Sequence, residues 1–156
     1  MPFFARLFLF LTLFSILYSL HTREAHAEGE FETDYNVTYQ IDQSGQTNVT
    51  QDIKLKNKTA NYYADRFELK IGSTKVDNVQ ARDSTGPMET SVKFDDNVTS
   101  ISVKFNQRVI GLGKELPWTL TYTSGELTSK SGQIWEVSIP RIATGAEIGK
   151  YDVKVQ

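Results

Sequence analysis

The residues of this chain whose types and spacing could do chemistry are Tyr62-Tyr63, Asp95-Asp96-Asn97, Gly111-Leu112-Gly113-Lys114, and the tryptophans Trp118 and Trp135. Asp95, Asp96 and Asn97 gather oxygen-bearing side chains that could contribute to a calcium site, which takes about six to eight oxygens. A tight turn between strands selects the same residues for their backbone habits, and no glycine-spaced calcium loop follows, so the turn is the better account. Gly111 to Lys114 has the look of a phosphate loop, but such a loop needs Ser or Thr after the lysine and a helix to present its amides. Glu115 and a strand-like pattern follow instead, and that reading is rejected.

Trp118 and Trp135 stand in phase with aliphatic neighbours, which makes core packing the better account of both. Tyr62 and Tyr63 are adjacent, so on an extended segment only one ring can point inward. The outward one is a ligand-binding candidate, an apolar face on which a sugar ring could stack.

The common catalytic constellations are not available downstream of the leader. The chain has no cysteine, and its only histidines, His21 and His26, fall within residues 1–27. That excludes Ser-His-Asp and Cys-His pairs, thiolate zinc sites and imidazole metal sites from residues 28–156. Carboxylates alone could hydrolyse a glycoside if two faced each other across a cleft. Almost every Asp and Glu here falls on the solvent phase of a strand or in a turn, where it is surface charge. No catalytic, cofactor-binding or metal-ligating residue is therefore assigned, and no cofactor is expected.

Residues 1–27 read as a secretory signal peptide. Met1 to Arg6 carries one positive charge, Leu7 to Leu20 is nearly all apolar, and the polar stretch that follows ends Ala25-His26-Ala27. A spanning helix needs about 20 apolar residues, so an uncleaved anchor is the alternative only if Pro2 to Arg6 are counted in. Either way the remainder is exported, to the outside of the cell or its envelope, and meets membrane only through a retained leader. Residues 28–156 fit one domain, large enough to bury roughly two thirds of its unfolded surface without disulfides.

The whole chain has a formal net charge of −2. Losing Arg6, Arg23 and Glu24 with the leader leaves it mildly acidic with both signs scattered, which excludes nucleic acid as a partner. Asn-x-Ser/Thr triplets occur at Asn36, Asn48, Asn57 and Asn97. They are either glycan acceptors or the chance product of a β-protein rich in Asn and Thr.

From Phe31 to Ile41 the odd positions are mostly apolar and the even positions polar, the period of a strand with one wet face. Gln43 to Gln46 supply turn chemistry, and Val49, Ile53 and Leu55 continue the pattern, predicting a hairpin. The same alternation recurs around Phe67, Val79, Val92, Val103, Leu120, Val137 and Val153. About nine short strands at turn spacings of about 8–12 residues predict an all-β fold, an antiparallel β-sandwich of about seven to nine strands in an immunoglobulin-like arrangement; closure into a barrel stays open. Asn61 to Ala64 and Gly111 to Lys114 interrupt the pattern and are expected to be loops, bulges or crossings between sheets. The last pattern runs to Gln156, pointing to a polypeptide that continues or to a truncated reading frame.

At Asn61-Tyr62-Tyr63-Ala64, at Gly113-Lys114 with the following Leu-Pro-Trp-Thr-Leu-Thr-Tyr, and at Gly132 to Pro140, the chain resembles the N-terminal β-sandwich of bacterial secreted or membrane-anchored transglutaminase-like proteins. The likeness covers nearly all of Phe31 to Gln156. It implies an accessory module ahead of a papain-like core with a Cys, His, Asp triad, and no triad residue can be carried over because the sequence ends before such a core. The expected function is that of a non-catalytic spacer or recognition module at the cell envelope, meeting an unknown protein or glycan through loops or an edge strand. The alternative is a carbohydrate-binding or adhesin domain using Tyr62 or Tyr63.

Overall fold

The structure, a computed structural model, describes residues 29–72 and 74–156, so the predicted leader lies outside the described residues. Eleven strands follow in order: β1 Phe31–Ile41, β2 Thr47–Asn57, β3 Tyr63–Gly72, β4 Asp77–Asp83, β5 Gly86–Asp95, β6 Val98–Ile110, β7 Glu115–Ser124, β8 Thr128–Ser131, β9 Ile134–Val137, β10 Ile142–Thr144 and β11 Glu147–Val155. Nine of them form one sheet in the order β10-β3-β6-β5-β4-β7-β2-β1-β11, and β8 and β9 form a separate two-stranded ribbon.

The nine-stranded sheet is folded into two layers at β5. Met88 and the residues before it pair with β4, while Glu89 to Asp95 pair with β6. A single strand thus belongs to both layers, as at the corner of a β-sandwich. The opposite side stays open between β10 and β11, which gives a nearly closed sandwich and not a sealed barrel. Two expectations are corrected here. The strands number eleven, and the sheet is not wholly antiparallel, because β11 runs parallel to β1. Parallel neighbours cannot be joined by a tight turn, and the whole chain between β1 and β11 serves as their connection.

Alternation fills the interior between the layers. Tyr35, Val37 and Tyr39 of β1, Val49, Ile53 and Leu55 of β2, Leu69 and Ile71 of β3, Ile101 and Val103 of β6, and Leu120 and Tyr122 of β7 are all buried. Trp118 lies among them, its ring 5.3 Å from Phe67 and 5.9 Å from Phe105 in edge-on contacts. Trp135 departs from the core role expected of it. It sits on β9, outside the main sheet, 36% exposed. Its ring would meet a Cβ at Gly45 within 2.8 Å, so the ribbon leans on the β1–β2 turn through the space that glycine leaves.

The turns follow local chemistry. In the β1–β2 turn the Asp42 carboxylate accepts from the amides of Ser44 at 2.8 Å and Gln46 at 3.0 Å. Asp96 and Asn97 both take positive φ, 47° and 62°, between the paired Asp95 and Val98. That is the two-residue hairpin turn in which Asn and Asp are favoured, so backbone habit accounts for the acidic cluster.

Candidate functional site

Because successive side chains point to opposite faces, the register of the sheet decides which polar residues meet outside the core. Five strands, β11, β1, β2, β7 and β4, bring two rows together. One row runs Lys150, Asp34, Lys54 and Pro117, and the next runs Asp152, Asn36, Asp52, Thr119 and Arg82. They line a trough of about 700 Å³ on the outer face, with Asp83 and Ser84 at its β4 end.

Within it, Lys54 Nζ lies 3.2 Å from Asp34 Oδ2 and 3.8 Å from Glu115 Oε1. The hydrogen bond to Asp34, with the Glu115 charge, raises the lysine above its ordinary pKa. Thr119 Oγ1 donates to Asp52 at 2.9 Å, and Lys150 pairs with Asp152. Arg82 makes no salt bridge among the described residues. Such solvent-exposed pairs add little stability. Their effect is to hold donors and acceptors in fixed rows on a rigid sheet.

Asp83 closes the trough differently. Its Oδ1 accepts from Thr85 N at 2.8 Å, Thr85 Oγ1 at 2.6 Å, Asn106 Nδ2 at 3.1 Å and Gly86 N at 3.2 Å. Burial pushes the carboxyl up, but the hydrogen bonds from Thr85, Asn106 and Gly86 outweigh it and leave the group below the ordinary carboxylate value. Oδ2 is buried without a partner. Asp83 therefore shapes the β4–β5 turn first and lines the trough second.

Tyr62 and Tyr63 lie elsewhere, at one end of the sandwich. At most one of the two rings could point inward, and neither does: Tyr62 is 53% and Tyr63 51% exposed. Tyr62 precedes β3 and Tyr63 opens it, so neither has a facing layer to cover it. Tyr63 stands at the mouth of a cleft of about 340 Å³, with Phe31, Leu55, Phe67 and Ala146 among its walls. The guanidinium of Arg108 sits 4.9 Å above the Tyr63 ring, a cation–π pair that occupies one face.

Asn57, which the sequence offered only as a glycosylation triplet, has a structural role that the sequence reading missed. It is fully buried at the end of β2, and its amide nitrogen donates to Tyr62 O at 2.7 Å and Val109 O at 3.1 Å. Its carbonyl side chain accepts from Thr59 N at 2.8 Å. Its backbone bonds Lys114 O and Gly113 N at 2.8 and 2.7 Å. One residue thus joins the two segments, its side chain holding the crossing before β3 and its backbone the turn before β7, which explains why both interruptions of the strand pattern lie together. Both are crossings between the layers. The same burial takes Asn57 out of consideration as a glycan acceptor in the folded chain, while Asn36, Asn48 and Asn97 are exposed.

Deeper in the core, burial raises the Tyr35, Tyr39 and Tyr122 hydroxyls above their ordinary pKa, so they stay neutral. Tyr122 OH accepts from Gln51 Nε2 at 3.2 Å. Among the described residues no three His, Cys, Asp or Glu side chains gather as a metal site would require.

No family model matches this chain, and no curated protein matches it in sequence. Solved structures give distant likenesses. An M1 zinc metallopeptidase from Deinococcus radiodurans is 12% identical over 69% of this chain, with a TM-score of 0.42, and the match spans only 23% of the peptidase. A mutant of the carbohydrate-binding module CBM3b, from the cellulosomal cellobiohydrolase 9A of Clostridium thermocellum, is 14% identical over 75% of this chain and 94% of the module, with a TM-score of 0.41. A non-cellulosomal cohesin from Archaeoglobus fulgidus is 9% identical over 78% of this chain and 88% of its own, with a TM-score of 0.34. None of them assigns a function to this chain.

Proposed function

We propose that the chain is a non-catalytic recognition and spacer module exported to the cell envelope, and that it holds its partner, a protein or a glycan, on the outer face of β11, β1, β2, β7 and β4. The observation that supports this reading is the pair of registered polar rows. Asn36, Asp52, Thr119 and Arg82 come from four different strands, so a ligand lying across them would meet preformed donors and acceptors without ordering a loop. Mixed charge suits hydroxyl-rich or zwitterionic surfaces better than a polyanion. In the fuller form of this reading the module is the amino-terminal arm of a transglutaminase-like protein, whose further sequence would encode the Cys and His residues that residues 28–156 lack.

The test is binding of the exported protein to an array of envelope glycans and to envelope extracts, comparing wild type with Asp52→Ala/Arg82→Ala and with Tyr62→Ala/Tyr63→Ala. Retention lost in the first variant and kept in the second supports the trough. The reverse pattern supports the carbohydrate-binding alternative at the tyrosines, which rests on the Arg108-backed ring at the mouth of the cleft. Binding that survives both variants removes both surfaces.

A further inference from the structure

The two ends of the nine-stranded sheet are unlike. β10 ends it with three residues, Ile142–Thr144, too few to template another strand. β11 ends it with nine, and no strand pairs with its outer side among the described residues. Its register with β1 shows that Tyr151, Val153 and Val155 oppose Tyr35, Val37 and Tyr39, all buried, and Ile148 opposes buried Thr33. The β11 row is therefore in core phase, yet Ile148 is 44%, Val153 39% and Val155 46% exposed, because the facing layer stops short of this edge. A long unpaired edge with an apolar inner row is the kind of feature that proteins normally blunt.

Backbone and charge together specify what fits there. Gln156 N donates to Tyr39 O, and Ile41 N donates to Gln156 O, so the even-numbered residues of this strand point their amides at β1. The odd-numbered residues Tyr151, Val153 and Val155 must then present N–H and C=O to the open side. An antiparallel partner strand would hydrogen-bond to those residues, with even residues standing opposite even residues. The even residues are Lys150, Asp152 and Lys154. If the partner is a second copy related by a two-fold axis at Val153, Asp152 of each chain faces Lys154 of the other, and Tyr151 packs against Val155. Moving the axis to the position between Tyr151 and Val153 would set Asp152 against Asp152 and Lys150 against Lys154, which like charges oppose.

We propose that β11 is a self-association edge, pairing antiparallel with β11 of a second copy about a two-fold axis at Val153. The alternation of charge makes the strand complementary to itself in this register, and the apolar row gains cover from its own counterpart. β5 also leaves Glu89 to Asp95 unpaired on one side, but it turns the corner between layers there and offers no comparable straight edge.

The test is sedimentation velocity of the exported protein over a concentration series, with three variants. Val153→Pro deletes an N–H that faces the open edge and not β1, so the monomer fold should survive, as its melting curve will report, while the dimer is lost. Asp152→Lys should weaken dimerisation by about tenfold or more, the effect of replacing opposite-charge pairs with like ones. Asp152→Lys/Lys154→Asp swaps the charges and should restore it. A wild type that is monomeric at every concentration overturns the proposal and leaves the edge to a strand from another protein. A dimer that ignores both the proline and the charge reversal overturns it as well, even if the proline variant proves poorly folded.

Discussion

Trp118 and Trp135 sit on strands of the same alternating kind, and the molecule treats them in opposite ways. Trp118 is 3% exposed between Phe67 and Phe105, at the centre of the main sandwich. Trp135 belongs to the β8–β9 ribbon, where the rim of its ring packs at Gly45 and Lys130 Nζ lies over the ring, 5.0 Å from its centre. The difference teaches that phase along a strand says which face a side chain takes. Whether that face is the core depends on which strands the segment joins. The sandwich holds the core, and the ribbon is an attachment that meets the β1–β2 turn at Gly45.

That contrast can be tested in order of expected effect. Trp118→Ala should lose about 3–5 kcal/mol in denaturant unfolding, since the ring fills the space between two aromatic neighbours and nothing can collapse into it. Asn57→Ala comes next, at about 2–3 kcal/mol, because it leaves the Tyr62 and Val109 carbonyls without their buried donor. Gly45→Ala should cost about 1–2 kcal/mol for an L side chain at φ 88°. Its further signature is a red-shifted Trp135 emission with Trp118 unchanged, as the new methyl lifts the ribbon; a simultaneous Trp118 shift would mean that ribbon and core are one unit.

Trp135→Ala should then cost under about 1 kcal/mol, the scale of a partly exposed contact. The smallest effect concerns acid. With its folded pKa depressed, Asp83 contributes stability that is present above the unfolded value of about 3.9 and lost as pH falls through the folded value. Asp83→Asn should make the acid limb of the stability curve shallower below that pH and leave the neutral region nearly level, as monitored by melting temperature from pH 2 to 7.

Much of the fold was legible because alternation is a local signal. β1 runs from Phe31 to Ile41 as the pattern predicts, and its hairpin with β2 follows from the turn residues between them. β8 and β10 escaped notice because Thr-Ser-Lys-Ser and Ile-Ala-Thr are too short and, in β8, too polar to carry a period. Val92 and Phe94 have the core phase on β5 but lie half exposed, since β4 leaves that half of the strand uncovered. Pairing order is non-local, so neither the corner at β5 nor the parallel β1–β11 contact could be read from spacing.

The candidate site was hidden for the same reason. Asp34, Asp52, Arg82 and Asp152 each read as ordinary surface charge, and only the register sets them side by side. Asn57 did leave a trace: it continues the buried phase of Val49, Ile53 and Leu55, where a polar residue calls for a structural partner.

The parallel pairing of β1 and β11 also bears on force. Held by the residues before Phe31 and after Val155, the molecule would be pulled along these two strands in opposite directions. The load would then act in shear on the whole run of backbone bonds from Glu32–Glu147 to Tyr39–Val155, and they would have to fail together. Pulled instead at Phe31 and Asn57, which stand side by side at the open end of the β1–β2 hairpin, the antiparallel pair would open one bond at a time. The fold is thereby strongest along the line of its β1–β11 pair, and weakest where a load meets an open hairpin end.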